Sequence, residues 1–228
     1  MRLRVLGLLV IGLLLSTASV AKADEVLITG VASGCFGVGC VPGPSATLLP
    51  GLSYLNSSFS VTTSGGFAGV GNVPGTPNED NLGSFTLTGD GANYNGQSFT
   101  LMVTFFDPQG IAGSNQATFT ALITGTVIMN DVGGITLDFD NNPVLFTFSD
   151  GDCGATTIPG QQTTCGSGSF QFRVNDLSIT AGRTASLTGD ILNAQQTTIP
   201  EPATMLLLGS GLVGFAFKAR RRHKAAKS

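Results

Sequence analysis

Alternation of apolar and polar residues with a period of two is the feature that most constrains the fold of this chain. Segment 98–106 places four large apolar side chains on one face. Segment 169–174 alternates in the same way, and Leu177 and Ile179 resume the pattern after an interruption. Because successive side chains of a β-strand point to opposite faces, such alternation is typical of strands with one buried face. No amphipathic helix pattern occurs between the two ends of the chain, so the sequence predicts an all-β domain.

Further strand signals surround these two segments. Stretches rich in Thr, Val, Ile or Phe are mostly bounded by Gly, Asn, Asp or Pro, as strands that end in turns are. They are residues 59–63, 84–88, 117–129, 135–139, 144–148 and 185–191. Roughly seven to ten short antiparallel strands with regular turns favour an antiparallel β-sandwich ectodomain, jelly-roll or immunoglobulin-like in topology. The many glycines and prolines of segment 64–80 predict a long exposed loop.

The N-terminus has the pattern of a secretory signal peptide. Two arginines precede an uninterrupted apolar run at residues 5–15, and alanines then flank Lys22. We therefore expect a helical signal peptide over residues 1–23, cleaved between Ala23 and Asp24. The apolar run is short for a membrane span, which argues against the alternative of an uncleaved anchor.

A second apolar segment lies near the C-terminus. Residues 203–217 carry no charge, and the basic tail 218–228 comes directly after them, with a stop formed by Lys218, Arg220, Arg221 and Arg222. As a helix, the segment would measure about 22 Å against a hydrocarbon core of about 30 Å. It therefore predicts a short transmembrane helix and a weak anchor, with the basic tail on the cytoplasmic side. A buried core helix is the alternative, and the adjacent basic cluster argues against it.

The residues in front of this segment resemble a known sorting signal. Pro200, Glu201 and Pro202, then the apolar segment, then the arginine cluster, resemble the PEP-CTERM signal over residues 199–224. Ile199 stands where Val is usual. The resemblance implies export, anchoring in the inner membrane, and recognition of the motif by a membrane protease-transpeptidase called exosortase. Transfer to the cell surface or the extracellular matrix would come next, in bacteria that typically make exopolysaccharide and biofilm.

The physical chemistry of the motif agrees with a recognition element. Pro200 and Pro202 fix φ and remove two backbone donors, and the residues that precede them are pushed towards extended conformations. An extended backbone can add to a sheet edge of an enzyme. Glu201 is then expected to determine recognition and not to act as a catalytic acid.

The predicted exported region spans residues 24–194, with a linker at 195–198 before the sorting signal. Between residues 24 and 199, thirteen acidic residues stand against Arg173 and Arg183, which gives a formal charge of −11. So acidic a domain does not bind nucleic acid by neutralising phosphates. The same charge attracts cations.

Four cysteines lie in the exported region, and an even number outside the cytoplasm favours disulfides. Three pairings are open. We favour the two local ones, Cys35–Cys40 and Cys153–Cys165, because each pair frames a loop that contains glycine. A metal site is a weak alternative, since the domain contains no histidine and no tight cysteine pair.

Missing residue types exclude much catalytic chemistry. The only histidine, His223, lies in the basic tail, so Ser-His-Asp and Cys-His catalysis and a histidine-based zinc site have no base or ligand in the domain. No catalytic residue is therefore assigned. Carboxylates remain, and a glycoside hydrolase needs two of them across a cleft. Because Asp is also a common turn residue, the ordinary interpretation is that these acids are solvated.

Two short acidic segments give a candidate calcium site. Asp138 and Asp140 lie on one face of a predicted strand, and Asp150 and Asp152 flank a glycine. Calcium binds about six to eight hard oxygen ligands, which carboxylates supply. Neither segment matches an EF-hand loop. Calcium is thus the one cofactor that the sequence suggests.

Two classes of function stay open. The leading one is a non-enzymatic surface or extracellular-matrix protein, sorted through its C-terminal signal and linked to exopolysaccharide or biofilm. The other is a carbohydrate-binding module or a carboxylate-dependent hydrolase that acts on extracellular polysaccharide. A cleft with two carboxylates roughly 5–10 Å apart would favour the hydrolase.

Overall fold

The structure is a computed structural model, and it describes residues 22–23, 25–43, 47–71, 80–89, 91–130, 132–149, 166–197 and 209. The chain divides into two compact units. One is the β-domain, Lys22–Gln196. The other comprises Met1–Ala21 and Thr197–Ser228, and only Thr197 and Gly209 of it are described.

Sixteen β-strands make up the described secondary structure, apart from a helical assignment at Gly209. In chain order they are β1 (Lys22–Ala23), β2 (Leu27–Phe36), β3 (Thr47–Leu49), β4 (Leu52–Leu55), β5 (Ser57–Thr62), β6 (Ala68–Val70), β7 (Ser84–Leu87), β8 (Ala92–Asn93), β9 (Gln97–Asp107), β10 (Gln116–Ile128), β11 (Val132–Phe139), β12 (Val144–Phe148), β13 (Gly168–Val174), β14 (Leu177–Thr180), β15 (Arg183–Ser186) and β16 (Gly189–Thr197).

The strands form three sheets in the described part of the chain. Sheet A has the order β1-β16-β13-β12, with β6 also paired to β16. Sheet B has the order β14-β11-β10-β9-β2-β5, with β8 also paired to β10. Sheet C has the order β15-β7-β4-β3. The strand pairs with described registers are antiparallel, so the prediction of an antiparallel all-β domain is confirmed.

Aromatic contacts show that sheet B packs against sheet A. Phe105 of β9 points away from solvent, and its ring centroid lies 4.7, 5.2 and 5.3 Å from those of Phe146, Phe170 and Phe172. These three residues belong to β12 and β13 of sheet A. Edge-to-face pairs at such distances are favourable beyond the area that they bury. The two layers are consistent with a β-sandwich.

Sheet C packs against the same inner face of sheet B, further along its strands. Tyr54 of β4 and Phe85 of β7 each lie 4.8 Å from Phe99 of β9, measured between ring centroids. Burial raises the pKa of the Tyr54 hydroxyl well above its usual value. Gly83 has φ +101, and a Cβ at this position would overlap the Tyr54 ring, so both backbone and packing require glycine there.

Strand β2 shows why part of the fold escapes prediction. Its inward positions include Gly30 and Gly34, and a Cβ at either one would overlap Phe59 or Phe99. The large rings therefore come from neighbouring strands. Among the alternating inward positions 28, 30, 32 and 34 of β2, Ile28 alone is large and apolar, which is too weak a pattern to signal a buried strand face. The sequence pattern does not predict strands β3, β4, β6 and β8 either.

Three boundaries differ from the sequence predictions. Segment 185–191, predicted as one strand, divides into β15 in sheet C and β16 in sheet A. Within segment 64–80, predicted as an exposed loop, β6 pairs with β16 and Val70 is buried; residues 72–79 lie outside the described part. Residues 195–197, predicted as linker, belong to β16.

The predicted terminal helices lie almost wholly outside the described residues. The last two residues of the predicted signal peptide form β1, and Gly209 is the described residue of the predicted transmembrane segment. Within the described ranges, no helix has the length and apolarity needed to cross a membrane.

Candidate functional site

The end of β16 is the candidate functional site, because the chain continues from there into the segment that carries the predicted sorting signal. On one side β16 pairs with β13, from Gly189 opposite Val174 to Gln196 opposite Gly168. On the other side β6 pairs only with residues 189–191. Since β13 occupies one edge of β16, β1 must pair on the edge shared with β6, beyond the residues that β6 covers.

A β-bulge divides β16 into two parts. Ser169 pairs with Gln195 and Gln171 pairs with Leu192, so Asn193 and Ala194 together oppose one residue of β13. Asn193 has φ +52, in the left-handed region that asparagine tolerates better than most residues. Its Nδ2 donates to Gln171 Oε1 at 3.0 Å. An extra residue of this kind interrupts the ladder locally.

The part of β16 before the bulge is firmly held. Ile191 is fully buried in the core. Arg173 donates from Nε and Nη2 to Asp190 Oδ2, at 3.0 and 2.8 Å, and this is the one ion pair among the described residues. Strands flank this part on both sides. Its attachment therefore combines core packing, two ladders and a charged pair.

The part after the bulge is held differently. We call Gln195–Thr197 the terminal segment of β16. Gln195 and Gln196 pair with Ser169 and Gly168 at the start of β13. Gln195 is exposed and Gln196 is buried. The terminal segment thus contributes polar side chains to the sheet and no large apolar one.

Two of the four acids predicted as calcium ligands lie in the described part of the chain. Asp138 is in β11 and Asp140 comes just after it, and both are exposed. Asp140 Oδ1 accepts hydrogen bonds from N and Nδ2 of Asn142 at 3.1 and 2.6 Å. Asp150 and Asp152 lie outside the described residues. The proximity of the two acidic pairs stays a prediction.

A third carboxylate lies beside this segment and was not identified from the sequence. Asp176 Oδ1 accepts a hydrogen bond from the backbone N of Phe139 at 2.9 Å, and its Oδ2 accepts one from Asn141 Nδ2 at 3.3 Å. The break at residues 175–176 between two strand signals was the only indication. Among the residues that the structure describes, no group of three potential ligands is arranged to hold a metal ion.

The cysteines give one confirmed prediction. Cys35 and Cys40 form a disulfide with a Cα–Cα distance of 6.0 Å. It closes a loop at the end of β2. Cys153 and Cys165 lie outside the described residues, so their pairing stays a prediction.

Comparison with known proteins identifies the segment that comes after β16. The family model of the PEP-CTERM protein-sorting motif matches residues 198–222. The match begins at the residue after the last residue of β16. It contains the predicted motif Pro200-Glu201-Pro202 and the arginine cluster 220–222, which lie outside the described residues. No curated protein and no solved structure matches the chain.

In this chain an antiparallel β-domain is followed directly by a protein-sorting motif. That motif is the PEP-CTERM protein-sorting motif, over residues 198–222. The motif implies export, membrane anchoring before processing, processing by exosortase, a membrane enzyme, and then a position at the surface.

Proposed function

We propose that the β-domain is a non-enzymatic surface or extracellular-matrix module, released or transferred after exosortase acts at Pro200-Glu201-Pro202. The proposal rests mainly on one observation: the sorting motif directly follows the last strand of the β-domain. Signal cleavage at Ala23–Asp24, transient anchoring through residues 203–217, a link to exopolysaccharide or biofilm, and a jelly-roll or immunoglobulin-like topology complete the proposal.

The use of the acidic residues supports a structural role. Asp80, Asp107, Asp140, Asp176 and Asp190 each accept a hydrogen bond from a group of the domain itself. Asp107 Oδ2, for example, accepts from Thr29 Oγ1 at 2.7 Å. Carboxylates so engaged stabilise turns and strand ends.

The protected edge of sheet B supports a secreted module as well. β5 is one of the two edge strands of sheet B. Asp80 Oδ1 accepts a hydrogen bond from the backbone N of Ser60 at 2.8 Å, and Asp80 N donates one to Ser58 O at 3.1 Å. Groups that would otherwise pair with another chain are thereby satisfied. Natural proteins block edge strands in this way, which keeps a concentrated extracellular protein from pairing edge to edge.

The test is the fate of the tail in a bacterial host that carries exosortase. The full chain and its Glu201→Ala and Arg173→Lys variants would be expressed, and the intact masses of the surface and membrane fractions measured. We expect the wild type and Arg173→Lys to lack both the signal peptide and the segment after the motif, and Glu201→Ala to keep the tail in the membrane. Wild-type protein that keeps residues 203–228 would contradict the proposal.

A second candidate, a carbohydrate-binding module, is favoured by the outer face of sheet B. Thr124 of β10 pairs with Thr136 of β11, which pairs with Ser178 of β14, so three hydroxyl-bearing residues form a row across three strands. Thr136 Oγ1 and Ser178 Oγ lie 3.2 Å apart. Neutral hydroxyls match the hydrogen-bonding groups of a neutral polysaccharide.

Binding distinguishes the candidates. If this face binds sugar, isothermal titration of host exopolysaccharide into the mature wild-type protein should release or absorb heat of binding. The same titration into Thr124→Val/Thr136→Val should show no binding. The matched control is Thr86→Val/Thr184→Val, which removes a comparable pair from sheet C, where the two Oγ1 atoms lie 2.8 Å apart. Release of reducing ends would instead support the hydrolase.

A further inference from the structure

We propose that the terminal segment of β16, Gln195–Thr197, detaches from sheet A during processing and enters the exosortase as an extended peptide together with the sorting motif. This inference rests on the proposed function, because it concerns how the same motif reaches its enzyme. According to this inference, the rate of tail removal depends on how firmly Gln195–Thr197 is paired with sheet A.

The first argument is the short length of chain between the end of β16 and the sorting motif. β16 ends at Thr197 and the sorting match begins at residue 198. From Thr197 to Glu201 the chain spans four residues, or at most about 14 Å when fully extended. Enzymes that bind extended peptides engage the backbone groups of several consecutive residues. While the terminal segment is paired, β13 occupies such groups, and Thr197 is only four residues from Glu201 along the chain.

The second argument is the bulge at Asn193–Ala194. Before it, β16 is fixed by a fully buried Ile191 and by the Arg173–Asp190 ion pair. After it, Gln195 and Gln196 each pair with one residue of β13. Because a bulge interrupts the ladder, the terminal segment can leave the sheet without disturbing the pairs that precede it. Local opening of this kind requires less free energy than global unfolding.

The third argument concerns the other edge of β16. The backbone N of Ala194 donates to Gly66 O at 2.9 Å, and β6 pairs only with residues 189–191. β1, Lys22–Ala23, also pairs with β16, and because β6 and β13 occupy both edges at residues 189–191, β1 pairs further along the strand. Cleavage between Ala23 and Asp24 removes β1. Among the described strands, β13 then remains paired with the terminal segment in the mature protein. Signal cleavage and tail processing are thereby coupled through β16.

A disulfide lock tests the detachment. Ser169→Cys/Gln195→Cys places cysteines at directly opposed positions after the bulge. The control, Thr147→Cys/Ser169→Cys, places them at opposed positions of β12 and β13 and leaves β16 unlocked. Both full-length variants would be expressed in the exosortase-bearing host, and the intact mass measured with and without reductant would verify the bridge. Tail removal would then be monitored over time in membranes, before and after a reductant is added.

We expect tail removal in Ser169→Cys/Gln195→Cys to be slower than in the wild type by at least about tenfold while oxidised, because the competent state is withheld. Reduction should restore it, and the control variant should be processed at the wild-type rate in both states. Processing of the oxidised lock at the wild-type rate overturns the inference. If tail removal stays blocked after the disulfide is reduced, the inference is also overturned, because the block would then not be caused by holding the terminal segment in the sheet.

A second variant keeps the result independent of folding defects. Inserting Gly-Gly-Ser-Gly-Ser after Thr197 adds up to about 17 Å of extended chain. In the oxidised lock, this insertion should restore tail removal, because extended residues are now supplied outside the sheet. An oxidised lock with the insertion that remains unprocessed overturns the inference. A wild-type chain that is never processed defeats instead the proposed function, so the two failures are distinguishable.

Discussion

The hydroxyl of Tyr54 donates a 2.6 Å hydrogen bond to the backbone carbonyl of Leu82, and both residues are buried. Tyr54→Phe removes the donor and leaves the carbonyl without this partner. A buried group left unsatisfied costs about 1–3 kcal/mol. We expect a loss of that size in the free energy of unfolding, measured by urea denaturation of the mature domain.

Tyr94 supplies the matched control. Its hydroxyl donates at 2.7 Å to the carbonyl of Pro50, an exposed residue that water can reach. Tyr94→Phe should therefore lose only the ordinary net contribution of a hydrogen bond, about 0.5–1 kcal/mol. Equal losses in the two variants would contradict the expectation that burial of the Leu82 carbonyl makes the loss larger in Tyr54→Phe.

Tyr54 also predicts an alkaline limit to stability. Burial raises the pKa of its hydroxyl in the folded protein, whereas the unfolded chain titrates near about 10. The stabilisation is therefore fully present below about pH 10 and declines as the pH rises above it, by up to about 1.4 kcal/mol per pH unit. Thermal denaturation between about pH 9 and 11 measures this. In Tyr54→Phe the decline should be shallower, and an unchanged slope would refute the prediction.

Removal of the edge block at β5 should promote association. Asp80 has φ +55, so Asp80→Gly removes the side chain without backbone strain. The backbone N of Ser60 then loses its side-chain partner on an edge strand. We expect dimers or larger species in light scattering at high concentration. Asp80→Asn keeps the acceptor oxygen and should remain as monodisperse as the wild type.

The disulfide Cys35–Cys40 closes a short loop, with a sequence separation of 5 residues. For so small a loop, the chain-entropy model gives a stabilisation of about 2 kcal/mol. Cys35→Ser/Cys40→Ser should lose about this amount in urea denaturation.

The mass of the oxidised wild type should rise by two hydrogens for each of two bridges on reduction. A rise for one bridge only would remove the predicted Cys153–Cys165 pair.

The calcium hypothesis predicts a ligand-dependent melting temperature. At a free Ca²⁺ concentration of about 100 times Kd, binding to the folded state alone would add about 2.7 kcal/mol of stability. Asp138→Asn/Asp140→Asn should abolish the rise in Tm seen on adding Ca²⁺ to chelator-treated protein, and Asp80→Asn should retain it. If Tm of the wild type does not respond to Ca²⁺, the four aspartates are not a calcium site.

Periodicity predicts the strands whose inward positions carry large apolar residues. β9 and β13 are such strands, with Phe105 and Phe172 as examples, and both lie where the pattern places them. β2 escapes prediction because glycines face inward and neighbouring rings fill the space above them. β6 escapes it because it is a short strand within a glycine-rich segment. In both cases burial is supplied by other strands, so the local pattern carries no signal.

At the candidate site, too, some features can be predicted from local sequence and others cannot. The sorting motif can be recognised from consecutive residues, because an enzyme reads it as an extended peptide, and its match at residues 198–222 is confirmed. The polar residues 195–197 predict a linker, yet they belong to β16 because Gly168 and Ser169 lie opposite Gln196 and Gln195. Backbone hydrogen bonds hold such residues in a sheet regardless of their polarity.

The sequence by itself determined the class of fold and the sorting motif and favoured the Cys35–Cys40 pairing, because side-chain alternation, a linear peptide signal and a short cysteine spacing are all local properties. Only the tertiary structure decided how the strands are shared among three sheets and that residues 195–197 belong to the last strand, β16. Those features depend on which backbone segments pair across long stretches of sequence, as between Ala68 and Ile191, which are 123 residues apart. Strand pairing is set by the collective packing of both layers, and no single segment encodes it.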